Sequence, residues 1–250
     1  MSTQSVYAAP EAAAPAEPSP LASRLVKLFV APGELFEEFR ESAPWGSALA
    51  VTLFISIVAS AIVFFFVSTE TFGELVRADF LAKTGQTPPD DVVAKIVPQA
   101  RVMGLILAVF GPFVSALLIA AVLLVVCRFA MGGKASFNQY LAITTHVQVM
   151  LALGGVLVAP LVFMKHDPSL NLSLTLLFSD LSQKSPLFGL LHNLDVFHIW
   201  ALVLVAIGVS KVDGRRSWVP SLAVLTTVYL ALMVGVPFLL SLVLPKPPGA

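Results

Sequence analysis

Residues 194–216 read LDVFHIWALVLVAIGVSKVDGRR. This stretch opens with an acid, a histidine and a tryptophan, runs apolar through Ser210, and ends with three basic residues. An aromatic and polar start, an apolar middle and a basic end are typical of a transmembrane helix that leaves the bilayer on its cytoplasmic side. The stretch therefore predicts a membrane protein whose residues 211–216 face the cytoplasm.

The composition of the whole chain agrees with this prediction. Of the 250 residues, 57% are hydrophobic and 12% are charged, whereas about a quarter of the residues in soluble domains are charged. Lys+Arg and Asp+Glu each number 15, so the net charge is zero. Because nucleic acids are bound by basic surfaces, this balance argues against a nucleic-acid partner. The lone cysteine, Cys127, can form neither an internal disulfide nor a Cys-based metal site.

Four further apolar stretches have the length of a membrane span. We therefore predict an all-α membrane protein, a five-transmembrane-helix bundle with spans at about 46–68, 102–127, 141–164, 194–210 and 218–244. Small residues three or four apart on one helix favour close contact with a neighbouring helix. Residues with this spacing are Gly104, Ala108, Gly111 and Ser115 in span two, and Gly155 and Ala159 in span three.

The segments before and after the spans differ in composition. Residues 1–20 and 245–250 have almost nothing large to bury, so we expect disordered tails around a membrane domain at 21–244. Residues 21–40 carry apolar side chains at helical spacing on both sides of Pro32, which predicts two short amphipathic helices in the membrane interface. Docking of this segment onto a cytoplasmic partner protein is the alternative.

Positive residues near the span ends indicate the orientation of a membrane protein. The two short connectors, 128–138 and 211–217, hold five positive residues against one acid, Asp213. We therefore place both connectors and the N-terminus in the cytoplasm and the C-terminus outside. The loop 69–99 then lies outside, where its sequence predicts two short helices. For residues 170–181, an extended segment and a helix fit the pattern equally well.

Four polar side chains lie inside the predicted spans or at their ends. His146 and Gln148 belong to span three, and Asp195 and His198 share one face at the start of span four. Ionisable residues within a membrane are candidates for a solute path, which makes a small-solute transporter or channel one hypothesis. The structural interpretation is simpler, because His146 can bond to another helix and Asp195 and His198 suit a helix start at the interface.

A metal-dependent intramembrane enzyme is a further hypothesis. It would use His166, Asp167 and His192 together with Asp195 and His198 on the outer side. The chain has neither a His-Glu-x-x-His motif nor a nucleophile elbow. We therefore expect no metal, no cofactor and no enzymatic activity.

Four stretches, taken in order, resemble a known family. They are LVKLFVAPGELFEEF at 25–39, GGKASF at 132–137, SPLF at 185–188 and LDVFHIWALVLVAIG at 194–208. On these residues the chain resembles the bacterial branch of the Ypt-interacting-protein (Yip) family of five-span membrane proteins. The resemblance implies a helical bundle in the bacterial cytoplasmic membrane without known catalytic activity. Eukaryotic members bind prenylated Rab-type GTPases, but no GTPase-binding motif of theirs is matched here residue by residue, so that role is not expected.

These observations predict a non-enzymatic membrane scaffold or adaptor that binds other proteins or lipids. Besides the lipid bilayer, we expect a membrane-protein partner or a second copy of the chain. The candidate interface combines residues 21–40 with the two connectors. It includes Phe36, Phe39, Lys134, Arg215 and Arg216. The alternative remains a transporter or channel that uses His146, Gln148, Asp195 and His198.

Overall fold

The structure, a computed structural model, describes residues 17–165, 172–178, 181, 185–192, 194–215 and 217–243. Within these ranges it consists of nine α-helices without a strand. The first four are α1 (Leu21–Val30), α2 (Pro32–Glu38), α3 (Trp45–Phe66) and α4 (Thr69–Thr84). The other five are α5 (Asp90–Met131), α6 (Phe137–Lys165), α7 (Pro186–His192), α8 (Val196–Val212) and α9 (Val219–Val243). The predicted all-α class is confirmed for the described part of the chain.

Three of the described helices, α3, α5 and α6, are long and apolar enough to cross a membrane. The apolar helices Val196–Val212 and Val219–Met233 are shorter. With 17 residues, α8 is about 25 Å long, slightly less than the hydrocarbon core of about 30 Å. The helices therefore support an integral membrane protein, and the count of five spans remains a prediction.

Helix α6 is the centre of the bundle, because it packs against α3, α5 and α8. Its residues 140–150 are all buried. Two glycines bring α8 close to it. A Cβ atom at Gly154 would lie 2.6 Å from the ring of Phe197, and one at Gly208 would lie 2.8 Å from the side chain of Ile143. The absence of a side chain at these two positions therefore sets the distance between α6 and α8.

The small-residue stripe predicted in span two is used only in part. Ala108 is buried, and the Ser60 hydroxyl of α3 donates to the carbonyl of Gly104 at 3.4 Å. A Cβ atom at Gly104 or Gly111, or at Gly155 in α6, would meet nothing within 4 Å. The close side-chain contacts predicted at these three glycines are therefore wrong, and at Gly104 the neighbouring helix touches the carbonyl alone.

Helix α5 extends well beyond its predicted span at 102–127. It runs continuously through Pro98 and Pro112 over 42 residues. The second short helix predicted in 69–99 is therefore the first part of α5, while α4 is the first of the two. Because α4 packs along this part of α5, the helix continues across Pro98.

Arg101 of α5 fastens the C-terminal end of α3. Its guanidinium donates to the carbonyl oxygens of Phe64, Val67 and Ser68 at 3.1, 2.7 and 2.8 Å. The last carbonyls of a helix have no partner within the helix. The guanidinium also lies 5.2 Å from the centre of the Phe72 ring in α4. One side chain thus joins α3, α4 and α5 at this end of the bundle.

The N-terminal helix pair packs onto the bundle. Helix α1 contacts α2 and α6, and α2 contacts α8. Leu28, Leu35, Phe36 and Phe39 are completely buried, and burial of their apolar area stabilises the fold. Two helices at 21–40 are confirmed, but the partner surface predicted at Phe36 and Phe39 is wrong, because these rings fill the interior. The opposite face of α1 is apolar and exposed, with Val26, Phe29 and Val30.

Most of the predicted tails lie outside the described residues, which begin at 17 and end at 243. In the segment with two open interpretations, residues 174–177 form a short 3-10 helix. Ser173 pairs with Asp195 in an isolated antiparallel bridge. This segment therefore lies against the start of α8.

Candidate functional site

The polar residues singled out in the sequence fall into separate places, and the first is around His146. The guanidinium of Arg24 reaches α6 here, with Nη1 3.2 Å from His146 Nε2. The same side chain donates to the carbonyls of Ser19 (2.9 Å) and Pro44 (3.0 Å) and to the hydroxyl of Ser47 (2.8 Å). Arg24 is 4% exposed and His146 is completely buried. One buried charge therefore joins α1 to the start of α3 and to α6.

The contacts of His146 define its tautomer. Nδ1 lies 2.7 Å from the carbonyl oxygen of Ala142, which can only accept, so Nδ1 carries the proton. Nε2 is then the acceptor for the guanidinium of Arg24. The ring also contacts Phe39, with ring centroids 4.8 Å apart. Because both nitrogens and one face are occupied by the protein, His146 holds α1 and α2 on α6 and is not presented to a solute.

Two ion pairs support the same arrangement from outside. Lys27 Nζ lies 2.6 Å from Glu38 Oε1, and Lys211 Nζ lies 2.9 Å from Glu37 Oε2. The hydrogen bond to Glu38 raises the pKa of Lys27, and the hydrogen bond from Lys211 lowers the pKa of Glu37. Burial lowers the pKa of Arg24, and the carboxylate of Glu38 partly opposes that shift. Because the Lys211–Glu37 pair is exposed to solvent and the Lys27–Glu38 pair is only half-buried, solvent screens both, and the buried contacts of Arg24 carry more of the stability.

The second place is the carboxylate of Asp213, directly after α8. Its Oδ1 accepts from the backbone N–H groups of Lys134 (2.9 Å) and Ala135 (3.0 Å). The hydroxyl of Tyr140 lies 3.3 Å from each carboxylate oxygen, and Arg215 Nε lies 3.8 Å from Oδ2. The Asp213 side chain is only 1% exposed. A buried carboxylate therefore fixes the connector between α5 and α6 to the end of α8.

Two glycines let this connector close around the carboxylate. Gly132 has a φ of 63°, in the left-handed region, and a Cβ atom at Gly133 would lie 2.5 Å from Asp213 Oδ2. The connector then enters α6 through a reciprocal cap. Gln139 N donates to Ser136 Oγ at 3.4 Å, and Ser136 N donates to Gln139 Oε1 at 2.7 Å. The motif GGKASF thus binds the carboxylate of Asp213 and starts α6.

The predicted surface residues of the connectors differ in exposure. Lys134 is exposed, as are Arg40 and Arg128 nearby. Arg215 is partly buried and donates from Nη2 to the carbonyl of Met131. Arg216 lies outside the described residues. We call this end of the bundle the connector end; it comprises α1, α2, the C-terminal turn of α5 from Arg128, and residues 132–136 and 211–215.

The third place is a cavity of about 350 Å³ between α5, α6, α8 and α9. Gln148 and His198 both line it, whereas His146 and Asp195 do not. Gln148 is 7% exposed, and its Nε2 donates to Ser115 Oγ of α5 at 2.9 Å. The structure therefore brings together one residue from each of the two predicted polar pairs, in surroundings that are otherwise largely apolar.

Asp195 forms the N-cap of α8. Its Oδ1 accepts from the backbone N–H of His198 at 2.8 Å, and its Oδ2 lies 2.9 Å from His198 Nδ1. Backbone hydrogen bonds on both sides, each 3.1 Å long, fasten residues 172–174 to this helix start. Both oxygens of the Asp195 carboxylate thus have partners that start and orient the helix.

In the part of the chain that the structure describes, no three His, Cys, Asp or Glu side chains come together closely enough to hold a metal ion. His166 and Asp167, which the metal hypothesis uses, lie outside that part. His192 stacks on the ring of Phe188, with centroids 5.5 Å apart.

Sequence reasoning missed Arg24 and Asp213. For Arg24 a signal existed: it stands at i+3 in the apolar stripe of α1, with Leu21, Leu25 and Leu28 at i, i+4 and i+7. A charged residue in a buried stripe requires hydrogen-bond partners, so this position predicts a polar contact. For Asp213 the signal was weaker, since it is the sole acid among the positive residues of the connectors.

Most of the chain matches a known family model and a known relative. Residues 26–240 match the family model described as the Yip1 domain. The membrane protein YknW of Bacillus subtilis (strain 168) is 26% identical over 202 residues, which cover 79% of this chain and 83% of that protein. No solved structure matches the chain.

Proposed function

The chain belongs to the Yip1 domain family, and we propose that it acts in the membrane as a non-enzymatic scaffold that holds a protein partner at its connector end. The observation that carries the proposal is the construction of this end. Arg24 and Asp213 fix it from the inside, while Arg128 and Lys134 stay exposed outside. A surface that is already ordered loses less conformational entropy when a partner binds.

Charge supports a protein as the partner. Helix α2 and the residues after it present exposed acidic side chains, Glu34, Glu37 and Glu41. The connectors present exposed basic ones beside them. A surface with both signs recognises a partner of complementary pattern and rejects a mismatched one. A second copy of the chain belongs to the same class of partner.

The proposal places the connector end in the cytoplasm. The chain would cross the bacterial cytoplasmic membrane five times, through α3, α5, α6, α8 and α9, with the N-terminus inside and the C-terminus outside. The five positive residues of the two connectors support this orientation.

The test is purification of tagged chain from native membranes in mild detergent, with mass spectrometry of the proteins that elute. Phe36 and Phe39 are unsuitable positions, since replacing buried rings disturbs the packing. The informative variant is the double charge reversal Arg128→Glu with Lys134→Glu. We expect a partner in fixed ratio with the wild-type chain and its loss from this variant.

The matched control is Lys95→Glu, which reverses a charge on the first turns of α5, where the side chain is 76% exposed. It keeps the partner if binding uses the connector end. A partner that the control loses and the double variant keeps would contradict the proposal, as would a chain that elutes alone and whose mass by light scattering is that of one copy.

One observation favours the alternative of solute transport, namely that Gln148 and His198 line the same cavity. Its test is solute flux in proteoliposomes. Transport through this cavity predicts that Gln148→Ala and His198→Ala reduce flux. His146→Ala then serves as the comparison, because His146 does not line the cavity.

A further inference from the structure

Two close contacts fix the position of α8 along α6. Gly154 of α6 faces the ring of Phe197, and Gly208 of α8 faces the side chain of Ile143. Each helix advances by eleven residues between these contacts, from 143 to 154 on α6 and from 197 to 208 on α8, so the axes run nearly antiparallel. Asp195, two residues before Phe197, is therefore level with the point two residues beyond Gly154.

Helix α6 continues past this level, toward the end of the bundle opposite to the connector end. It ends at Lys165, nine residues beyond the level of Asp195 (156 to 165), which is about 13 Å along the axis. Exposed apolar side chains, Leu157, Leu161 and Met164, follow this part of the helix up to its last residue. In a bilayer such side chains face hydrocarbon, so the membrane surface lies near the end of α6.

Helices α3 and α5 place the membrane surface at the same level. Gln148 Nε2 donates to Ser115 Oγ, which aligns α5 with α6. Arg101 lies fourteen residues from Ser115 (101 to 115), level with residue 162 of α6 (148 to 162). Its guanidinium binds the carbonyls at the end of α3. A charged side chain and the last carbonyls of a helix are suited to a membrane surface, where water is within reach.

Residues 172–178 are joined to the bundle at the level of Asp195 and not at the end of α6. The backbone N–H of Val196 donates to the carbonyl of Leu172, and that of Leu174 donates to the carbonyl of Leu194, both at 3.1 Å. Leu172 therefore lies about 13 Å short of the end of α6. One leaflet contributes about 15 Å of hydrocarbon, half of the core, so this level lies within the leaflet.

The exposed side chains of this segment are suited to hydrocarbon. Among the side chains that the structure describes in 172–178, the exposed ones are Leu172, Leu177 and Phe178, with exposed fractions of 43%, 74% and 52%. Ser173 is buried, and its hydroxyl bonds to that of Thr175. A loop in water shows the opposite distribution, because serine and threonine are mostly exposed there. The same apolar surface continues onto the exposed first turn of α8.

The backbone of the segment also satisfies the conditions of this depth. Non-helical backbone at membrane depth has to be hydrogen-bonded within the protein. Besides the two bonds to residues 194–196, the N–H of Phe178 donates to the carbonyl of Thr175 at 3.0 Å. The carboxylate of Asp195 has its two bonds to His198, so it is satisfied without water.

From the level, the exposed side chains and the paired backbone we infer that residues 172–178 are re-entrant. They dip into the leaflet at the end of the bundle opposite to the connector end. The partner of Leu172, Leu177 and Phe178 is the acyl chains of that leaflet. The inference requires that α6 crosses the membrane, holds for either orientation of the chain, and does not depend on the scaffold function.

The experiment is spin labelling of the full chain in liposomes of phosphatidylethanolamine and phosphatidylglycerol. Leu172→Cys, in a Cys127→Ala background, carries the nitroxide. Its collisions with oxygen, which concentrates in hydrocarbon, are compared with its collisions with a water-soluble nickel chelate. The matched control is Leu161→Cys in α6, because the exposed fractions are 43% and 44% and a difference therefore reports depth. Lys95→Cys, at a side chain that is 76% exposed, reports water.

We expect the labels at 172 and 161 to favour oxygen and the label at 95 to favour nickel. Because Leu172 is level with the region of residue 156, its label should lie deeper than that at 161 by five residues of α6, about 7 Å. A second pair covers the case that Leu172→Cys does not fold. Val196→Cys and Leu157→Cys, with exposed fractions of 60% and 68%, should report equal depth.

Three results would overturn the inference. The first is a label at 172 that collides with nickel as often as the label at 95, which would place the segment in water. The second is a label at 172 that neither reagent reaches while oxygen reaches the label at 161, which would mean that a protein covers the segment. The third, if Leu172→Cys does not fold, is a label at 196 that favours nickel while the label at 157 favours oxygen.

Discussion

Single polar side chains fix the positions of whole helices in this bundle. Arg24 joins α1 to α3 and α6, and Asp213 joins the end of α8 to the connector before α6. A buried polar group costs free energy unless it is hydrogen-bonded, so each of these side chains favours the one arrangement in which its partners are in place. Removal of either side chain leaves its partners without their bonds.

We predict that Asp213→Ala destabilises the fold. The change leaves two backbone N–H groups and the hydroxyl of Tyr140 without their acceptor, so we expect a loss of at least about 2 kcal/mol in the free energy of unfolding. Thermal unfolding in detergent measures the effect. Asp91→Ala is the control, because that carboxylate is 70% exposed and its loss costs less than about 1 kcal/mol. Equal unfolding temperatures for the two variants would refute the role assigned to Asp213.

Two adjacent glycines in α6 give a second prediction. Gly154→Ala places a methyl group 2.6 Å from the Phe197 ring, so α8 has to move, and we expect destabilisation of about 1–3 kcal/mol. Gly155→Ala meets nothing within 4 Å and should be neutral or stabilise by about 0.5–1 kcal/mol, because alanine is the better helix former. The pair is compared by thermal unfolding, and the opposite order would mean that the contact between α6 and α8 is misplaced.

The same glycines mark the limit of prediction at this scale. Small residues in a span indicate close packing, but adjacent residues point about 100° apart around a helix. The sequence pattern favoured Gly155 because Ala159 follows four residues later, whereas the neighbour α8 lies on the side of Gly154. The direction of a neighbour depends on the fold of the whole chain. Gln148 was recognised as buried and polar, but its partner Ser115 was not.

At the scale of elements, α1 and α2 are part of the packed structure. Leu28 and Leu35 are completely buried, and Arg24 reaches beneath them to His146. The exposed apolar face of α1 remains available to the membrane interface. The pair therefore has one face for the bundle and one for its surroundings.

A matched pair of substitutions tests this docking. Arg24→Gln removes a charge with four partners, so we expect α1 and α2 to lose protection from amide hydrogen exchange while the middle of α6 keeps it. Lys27→Gln removes the half-buried ion pair with Glu38, and its effect should be smaller, because that pair is partly screened by solvent and is a single contact. Equal loss of protection in both variants would show that the buried contacts of Arg24 do not hold the helix pair.

Element positions were largely predictable, and the errors have physical causes. The lengths of the apolar stretches predicted the bounds of α3, α6 and α8 to within a few residues, because each helix begins or ends where charged or turn residues appear in the sequence. The start of α5 was not predictable in this way. Pro98 and the polar composition of 90–101 indicate a break, but packing against α4 continues the helix through both. Local signals cannot include a stabilising contact with another element.

At the scale of the whole molecule, the side on which the connector end lies depends on the path of the chain through the membrane. If only α3, α5 and α6 cross, residues 213–218 lie on the same side as the loop 69–99. If α8 and α9 also cross, residues 213–218 lie with the connector at 132–136. Asp213 bonds to that connector, which supports the second path.

The most direct measurement uses a single cysteine at Ser217, an exposed residue between α8 and α9. The variant Ser217→Cys is made together with Cys127→Ala, so that the new thiol is the sole one. Lys95→Cys, in the same background, reports the opposite side. We predict that a membrane-impermeant maleimide labels the thiol at 95 in intact cells and labels the thiol at 217 only after permeabilisation. Labelling of both thiols from outside would mean that α8 does not cross the membrane, and the cytoplasmic connector end would have to be abandoned.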